Sequence, residues 1–235
     1  MEKVGGERQY LVLDLASEQW EVRLIPNATC ERFLGGEALA LHLWSLHADS
    51  GADSGPDSPI CFAAGSLSAS SVPCTHSLSI AGISPATGRL HSATNTTTFA
   101  SKIVSCGWQA IVLINVARRQ MSVHVSSDDV AFKPSDRLIG KGTLQSAEML
   151  DDGSHAGILT IGPAGERGVS SAAMVCDQRA LERFGFAVLL GEKHIKALVV
   201  SQGNFTYRPY DPHLFEQTKA SLTAMLEASA YAKRY

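Results

Sequence analysis

The stretch that decides the reading of this chain is AGISPATGRLHSATNTTTFASKIVSCGWQAIVL, residues 81–113. Two apolar runs, Leu78–Ile83 and Ala110–Asn115, have the length and composition of β-strands. Between them lies a Thr/Asn-rich turn, 93–99, with a short helix-like segment after it. The hydroxyls and main-chain N–H groups of that turn stand at the expected N-terminus of the helix. The first N–H groups of a helix have no partner within it and the dipole is positive there, so such a place holds an anion. Capping of the helix alone explains the same polar residues.

Working outward, Tyr10–Leu15 and Trp20–Ile25 alternate apolar and polar residues around Ala16-Ser17-Glu18-Gln19, a hairpin signal. Residues 27–47 are predicted mostly helical, with Leu39, Leu43 and Leu46 on one face. The pair Gly35-Gly36 inside that segment predicts a break or the close approach of another backbone. Ile60–Ala64, Met121–Val125, Gly157–Ile161, Gly168–Val175 and Ala197–Ser201 are further predicted strands, and Thr143–Leu150 a helix. Gly162-Pro163-Ala164-Gly165 reads as a tight turn. Asp211 and Pro212 open a last helix as N-cap and first-turn residue, with Leu214, Leu222, Met225 and Leu226 on its apolar face. The pattern is α+β, and no internal repeat stands out.

The chain has 235 residues, enough for one large domain or two small ones. Its net charge of −3 is scattered, and no basic stripe interleaved with aromatics points to nucleic acid. No apolar run reaches the length of a membrane span, and the first residues carry no signal-peptide pattern. The cysteines, Cys30, Cys61, Cys74, Cys106 and Cys176, are far apart. They lack the spacing of a zinc or iron–sulfur site and read as reduced thiols in a cytoplasm. The histidines form no metal pattern by spacing, and no Ser/His/Asp arrangement can be argued.

Seven pieces occur in a distinctive order: a hairpin, FLGGEALALHLW, FAAGSLSASSVPC, SPATGRLHSA, GWQAIVL, IGPAGE and GEKHIKALVV. In that order and spacing the chain resembles the N-terminal domain of the tungsten-pterin aldehyde:ferredoxin oxidoreductases, from about Tyr10 to Gly203. The resemblance implies an α+β domain of two β-sheets that forms a platform for a bis-pterin tungsten (or molybdenum) cofactor. It implies phosphates held by loops of this domain with a magnesium ion between them. It places a 4Fe-4S cluster, the remaining pterin contacts and the route to ferredoxin in later domains or a partner subunit. On this reading residues 1–203 are the platform domain. Residues 204–235 are a linker and the first helix of a truncated second domain, with homodimerisation a possible consequence.

Carried over residue by residue, the resemblance is mixed. The first pterin loop falls on Cys74-Thr75-His76-Ser77, where Ser77 stands in place of the family's Arg. The second, Ala-Asn-Ser-Gly-Gly in the family, falls on Ala93-Thr94-Asn95-Thr96-Thr97. The third, Arg-Ala-Ala-Gly-Arg-Gly-Gly, falls on Arg179-Ala180-Leu181-Glu182-Arg183-Phe184-Gly185, where Arg183 and Gly185 survive. The implied cofactor-binding residues are therefore Ser77, Thr94, Asn95, Thr96, Ala180, Arg183 and Gly185. The carbonyls of Thr94 and Ala180 are the implied magnesium ligands. Arg183 reads as a clamp on a phosphate or as a surface Arg paired with Glu182 or Glu192. His76 reads as a donor beside Ser77 or as a solvated loop residue. Glu166 reads as a base or as an acceptor for turn N–H groups. Lost glycines and a lost Arg weaken a phosphate site, because a Cβ keeps backbone away and Ser gives no bidentate bond. Two functions follow: the incomplete cofactor platform of an aldehyde-oxidising enzyme, or a stand-alone domain that has lost pterin and serves binding or assembly.

Overall fold

The computed structural model describes residues 8–48, 55–181, 184–205 and 207–229. The chain runs β1 (Gln9–Asp14), β2 (Gln19–Leu24), α1 (Asn27–Phe33), α2 (Gly36–His47), β3 (Ile60–Ala64), β4 (Ser77–Ile83), β5 (Leu90–Thr96), α3 (Thr98–Ser105) and β6 (Ala110–Ile114). It continues with β7 (Met121–Val125), β8 (Val130–Pro134), α4 (Thr143–Leu150), β9 (Gly157–Ile161), α5 (Pro163–Glu166), β10 (Met174–Cys176), β11 (Arg179–Ala180), α6 (Phe186–Glu192), β12 (Ile195–Val200) and α7 (Pro212–Ala228).

Two six-stranded sheets result, ordered β2-β1-β6-β3-β4-β5 and β8-β7-β12-β9-β10-β11. Read from those ends they have the same connectivity. Each opens with a hairpin whose first strand pairs parallel to the last strand of its half, β1 with β6 and β7 with β12. Every other neighbour is antiparallel. The fold is a structural repeat that the sequence reading did not find, because topology is repeated while the residues are not.

Alternation sets the layers. In β1, Leu11 and Leu13 face inward while Tyr10 and Val12 face outward, and both sets are buried. The inner faces of both sheets share one core with α3 and α6, including Phe62, Ile111, Phe99, Ile103, Leu159, Phe186 and Leu198. Each such side chain contributes roughly 1.5–3 kcal/mol by leaving water. On the outer face of the first sheet, Val12, Cys61, Ala63 and Val112 pack against Leu39, Ala40 and Leu43 of α2.

Two expectations are corrected and two unassigned segments gain elements. The segment at 93–96 is the end of β5, not a turn, because pairing with β4 uses its main chain from Leu90 to Thr96. The predicted strand Gly168–Val175 is confined to Met174–Cys176, next to β9. The unassigned run Val130–Pro134 is β8, and the unassigned run Phe186–Glu192, apolar up to Gly191, is the buried helix α6. The predicted hairpin, the break at Gly35-Gly36 and the helix Thr143–Leu150 are present.

The last helix, capped by the Asp211 side chain at the Leu214 N–H, buries none of its residues. No helix among the described residues is long and apolar enough to cross a membrane.

Candidate functional site

A groove of about 420 Å³ opens on the outer face of the first sheet, between the N-terminus of α2, the loop after β3, and strands β4 and β5. Glycine makes it possible. A Cβ at Gly35 would lie 2.8 Å from the Ser66 nitrogen, and one at Gly65 would lie 2.3 Å from the Ser77 hydroxyl. Gly36 has φ +61°, which a β-branched residue resists. The pair Gly35-Gly36 therefore marks the close approach of another backbone, as its sequence suggested.

No side chain caps α2 at Gly35, so the positive end of a 12-residue helix opens on the groove. The opposite wall carries hydroxyls. Ser77 faces Thr96, and Ser79 faces Thr94, in the β4–β5 register. The Ser79 and Thr94 hydroxyls are 2.7 Å apart. Among the described residues Glu37 is the one charged residue lining the groove, and its carboxylate accepts the Ser92 hydroxyl. Among the described residues the groove offers N–H and O–H donors and no cation, a set that suits a polar heterocycle or a single anion.

Alternation along β5 splits the sequence candidates. Ser77 and Thr94 share the groove, and Thr96 lies on the same face. Asn95 points the other way and donates its side-chain amide to the Leu181 carbonyl. On that side His91 stacks on Phe184 at 4.6 Å, the Ser84 hydroxyl donates to the Phe184 carbonyl, and Gly185, at φ +80°, lies against Ala86. Ala180 is exposed on β11. Arg183 and Glu182 lie outside the described residues. The second and third loops do meet, through Asn95 and Leu181.

The N-terminus of α3 is closed. Asp177, in the two-residue turn between β10 and β11, accepts the Thr98 N–H at 2.7 Å and the Thr97 and Thr98 hydroxyls at 2.8 Å each. Burial alone would raise its carboxyl; these hydrogen bonds from Thr98 and Thr97 outweigh burial and hold it below the usual range. Asp177 and Gln178 both have positive φ, as a type I′ hairpin turn requires. The anion expected at this helix is the protein's own. Sequence reasoning missed Asp177, and its one local signal is its place in a two-residue turn.

His76 Nδ1 lies 2.5 Å from the Ser68 carbonyl oxygen, so it is tied to its own loop. Glu166 accepts the Gly140 N–H at 3.0 Å and pairs with the fully buried Lys196. Its part is structural, extending the turn role read from sequence. Lys193, also fully buried, donates to the carbonyls of Pro56 at 2.7 Å and Asn115 at 2.9 Å. Burial lowers its ammonium to about 8, against the opposing charges of Asp57 and Glu192. A second cavity, about 700 Å³, lies on the outer face of the other sheet and is lined by Ser122, His124, Lys133 and Asp152. Burial, helped by the Lys133 charge, lowers His124 to about 4. Among the described residues no group of three or more His, Cys, Asp or Glu could hold a metal ion.

Comparison with known proteins identifies the fold and the family. The tungsten-containing aldehyde ferredoxin oxidoreductase of Thermococcus kodakarensis is 28% identical over 201 residues, covering 83% of this chain and 33% of the relative. That of Pyrococcus furiosus is 26% identical over 201 residues, with the same coverages. That of Pyrococcus horikoshii is 30% identical over 149 residues, covering 62% of this chain and 24% of the relative. The active-site complex BamBC of benzoyl coenzyme A reductase, solved with 1,5-dienoyl-CoA, superposes with a TM-score of 0.87 at 20% identity. The superposition covers 93% of this chain and 34% of that one, and it shows the shared two-sheet fold. The chain thus spans about a third of the length of the first of these relatives. The family model for the aldehyde ferredoxin oxidoreductase N-terminal domain matches residues 10–202, all of both sheets but the first residue of β1, and the chain belongs to that family.

Proposed function

We propose that this chain is the cofactor platform of an aldehyde-oxidising, ferredoxin-linked enzyme, and that the groove between α2 and β4–β5 receives one pterin of a tungsten-bearing cofactor. The observation that carries the reading is the uncapped N-terminus of α2 opening on Ser77, Ser79 and Thr94. These donors fit a phosphate or the polar edge of a pterin. The cofactor, when bound, would supply the two-electron redox chemistry. The chain's own part is to hold and orient it: Gly35, Gly36 and Gly65 let backbone approach, and the hydroxyls donate. The carbonyls of Thr94 and Ala180 are the proposed magnesium ligands, on segments that the Asn95–Leu181 contact ties together. The 4Fe-4S cluster, the aldehyde pocket and the ferredoxin contact are assigned to protein beyond these residues. The proposed compartment is the cytoplasm.

The residues do not fit an anion at the N-terminus of α3, where Asp177 already stands. With Glu37 at the groove and Ser77 in the place of an Arg, this favours the second reading, a domain that has lost pterin and serves assembly. Purification from the native host separates the two. Tungsten or molybdenum and organic phosphate, in constant ratio to the protein, support the platform. Their absence from a folded, partner-bound protein supports the assembly module. The chain by itself is expected to show no aldehyde oxidation and no visible absorption that bleaches with dithionite; such a band would overturn the assignment of the cluster to other domains.

A further inference from the structure

Each sheet ends in two outer strands, and three of the four ends are protected. β5 and β11 adjoin each other through Asn95 and Leu181. β8 closes with Lys133-Pro134, and both residue types discourage a further strand. The fourth, β2, is six residues long, has no Pro or Lys, and leaves Val22 42% and Leu24 59% exposed. An edge strand of this kind presents unpaired main-chain groups to any strand that can match it.

The residues of β2 match themselves. Trp20-Glu21-Val22-Arg23-Leu24 is self-complementary in character when reversed: apolar, acid, apolar, base, apolar. In an antiparallel pair centred on Val22, Trp20 lies opposite Leu24 of a second copy, Glu21 opposite its Arg23, and Val22 opposite its Val22. The two faces separate cleanly. Trp20, Val22 and Leu24 pair with Leu13, Leu11 and Gln9 of β1 and so lie on the inner, core-side face. Glu21 and Arg23 pair with Val12 and Tyr10 on the outer face. They already form an ion pair within the strand, so the two-fold would assemble four charges of alternating sign.

We propose that β2 is a homodimer interface at which two copies pair antiparallel about Val22, joining their first sheets into one of twelve strands. Main-chain hydrogen bonds and the apolar strip hold the pair, and the charges fix its register. A strand-only contact is small, so the dimer is weak, with Kd about 10–100 µM.

Sedimentation velocity over a concentration series tests this with charge swaps. Wild type should dimerise reversibly. Glu21→Lys and Arg23→Glu, both at exposed positions, should each weaken self-association by about tenfold or more, since like charges then face each other. An equimolar mixture of the two variants should recover dimer, because every pair is again opposite. Independently, Val22→Cys should cross-link to its own copy under mild oxidation, facing Cα atoms in such a pair lying about 4.5–5.5 Å apart. A monomeric wild type throughout, a dimer indifferent to either charge reversal, or a mixture that stays monomeric would overturn the proposal. So would a Val22→Cys chain that cross-links no more than wild type.

Discussion

Asp177 and Thr98 stand 79 positions apart in the chain and are joined twice, through the Thr98 N–H and through its hydroxyl. The turn of the second half thereby caps a helix of the first. Thr97 is the N-cap of α3 and its hydroxyl accepts the Phe99 N–H, while Asp177 adds a carboxylate from another segment. Asp177→Ala should lower stability by about 1–2 kcal/mol, the worth of a side-chain cap at a helix end. Asp177→Asn should lose less. The folded carboxyl lies below its unfolded value, so its contribution is present above about pH 4 and is lost as pH falls through the folded value. Urea unfolding of the two variants and wild type at pH 7 and pH 3 checks this; equal stabilities at pH 7 would refute the cap.

His124 governs a different window. Its folded value of about 4 lies below the unfolded 6.5, so the unfolded chain takes up the proton first. Stability is therefore full above about pH 6.5 and declines as pH falls towards 4. The shift alone corresponds to about 3 kcal/mol, and screening at this half-exposed ring leaves about 2. His124→Gln should reduce the slope between those limits, the part due to His47, which burial also lowers, remaining, while leaving the Asp177 loss below pH 4 in place. Thermal midpoints at half-unit pH steps read both.

Lys193 works at the alkaline end. Its folded value of about 8 is below the unfolded 10.5, so it costs stability while protonated and that cost disappears as pH rises from 8 to 10.5. The full change is about 3 kcal/mol. The thiols of Cys61 and Cys176 and the Tyr10 hydroxyl are pushed up by burial and act in the opposite sense at high pH. The quantity to follow is thus the difference between wild type and Lys193→Met. It should move in favour of wild type across the window; a constant difference would show that Lys193 does not titrate as assigned.

The groove can be probed with inorganic phosphate. Neutral donors alone give weak binding, Kd about 1 mM, or about −4 kcal/mol. Thr94→Val and Ser77→Ala should each weaken it several-fold, about 1 kcal/mol per hydrogen bond. Glu37→Gln should strengthen it by removing like charge. Amide shifts of Gly35–Glu37 on titration report the site; shifts confined to other residues would remove the groove from consideration.

Much of this fold was legible because most strands are buried on at least one face and carry long apolar runs, as in Ile60–Ala64. β5 was not, since its residues are mostly polar and it lies at a sheet edge. α6 was not, since a helix buried on nearly every side, Phe186 to Gly191, loses the amphipathic period. Of the site, Ser77 and Thr94 were candidates from separate loops, and the β4–β5 pairing brings them to one groove. The parting of Thr94 from Asn95 depended on β5 being a strand, and the Asp177 cap depended on a contact between halves. Neither can be read from local pattern.

The reciprocal contacts of the two halves have a consequence for how the chain holds together. Asp177 of the second half completes α3 of the first, and Ser84 of the first half meets the main chain before α6 of the second. Neither sheet therefore owns all the parts that finish its helices. Severed between Ile114 and Met121, the two fragments should be poorly ordered apart and regain structure when mixed, as halves that each hold the other's missing piece.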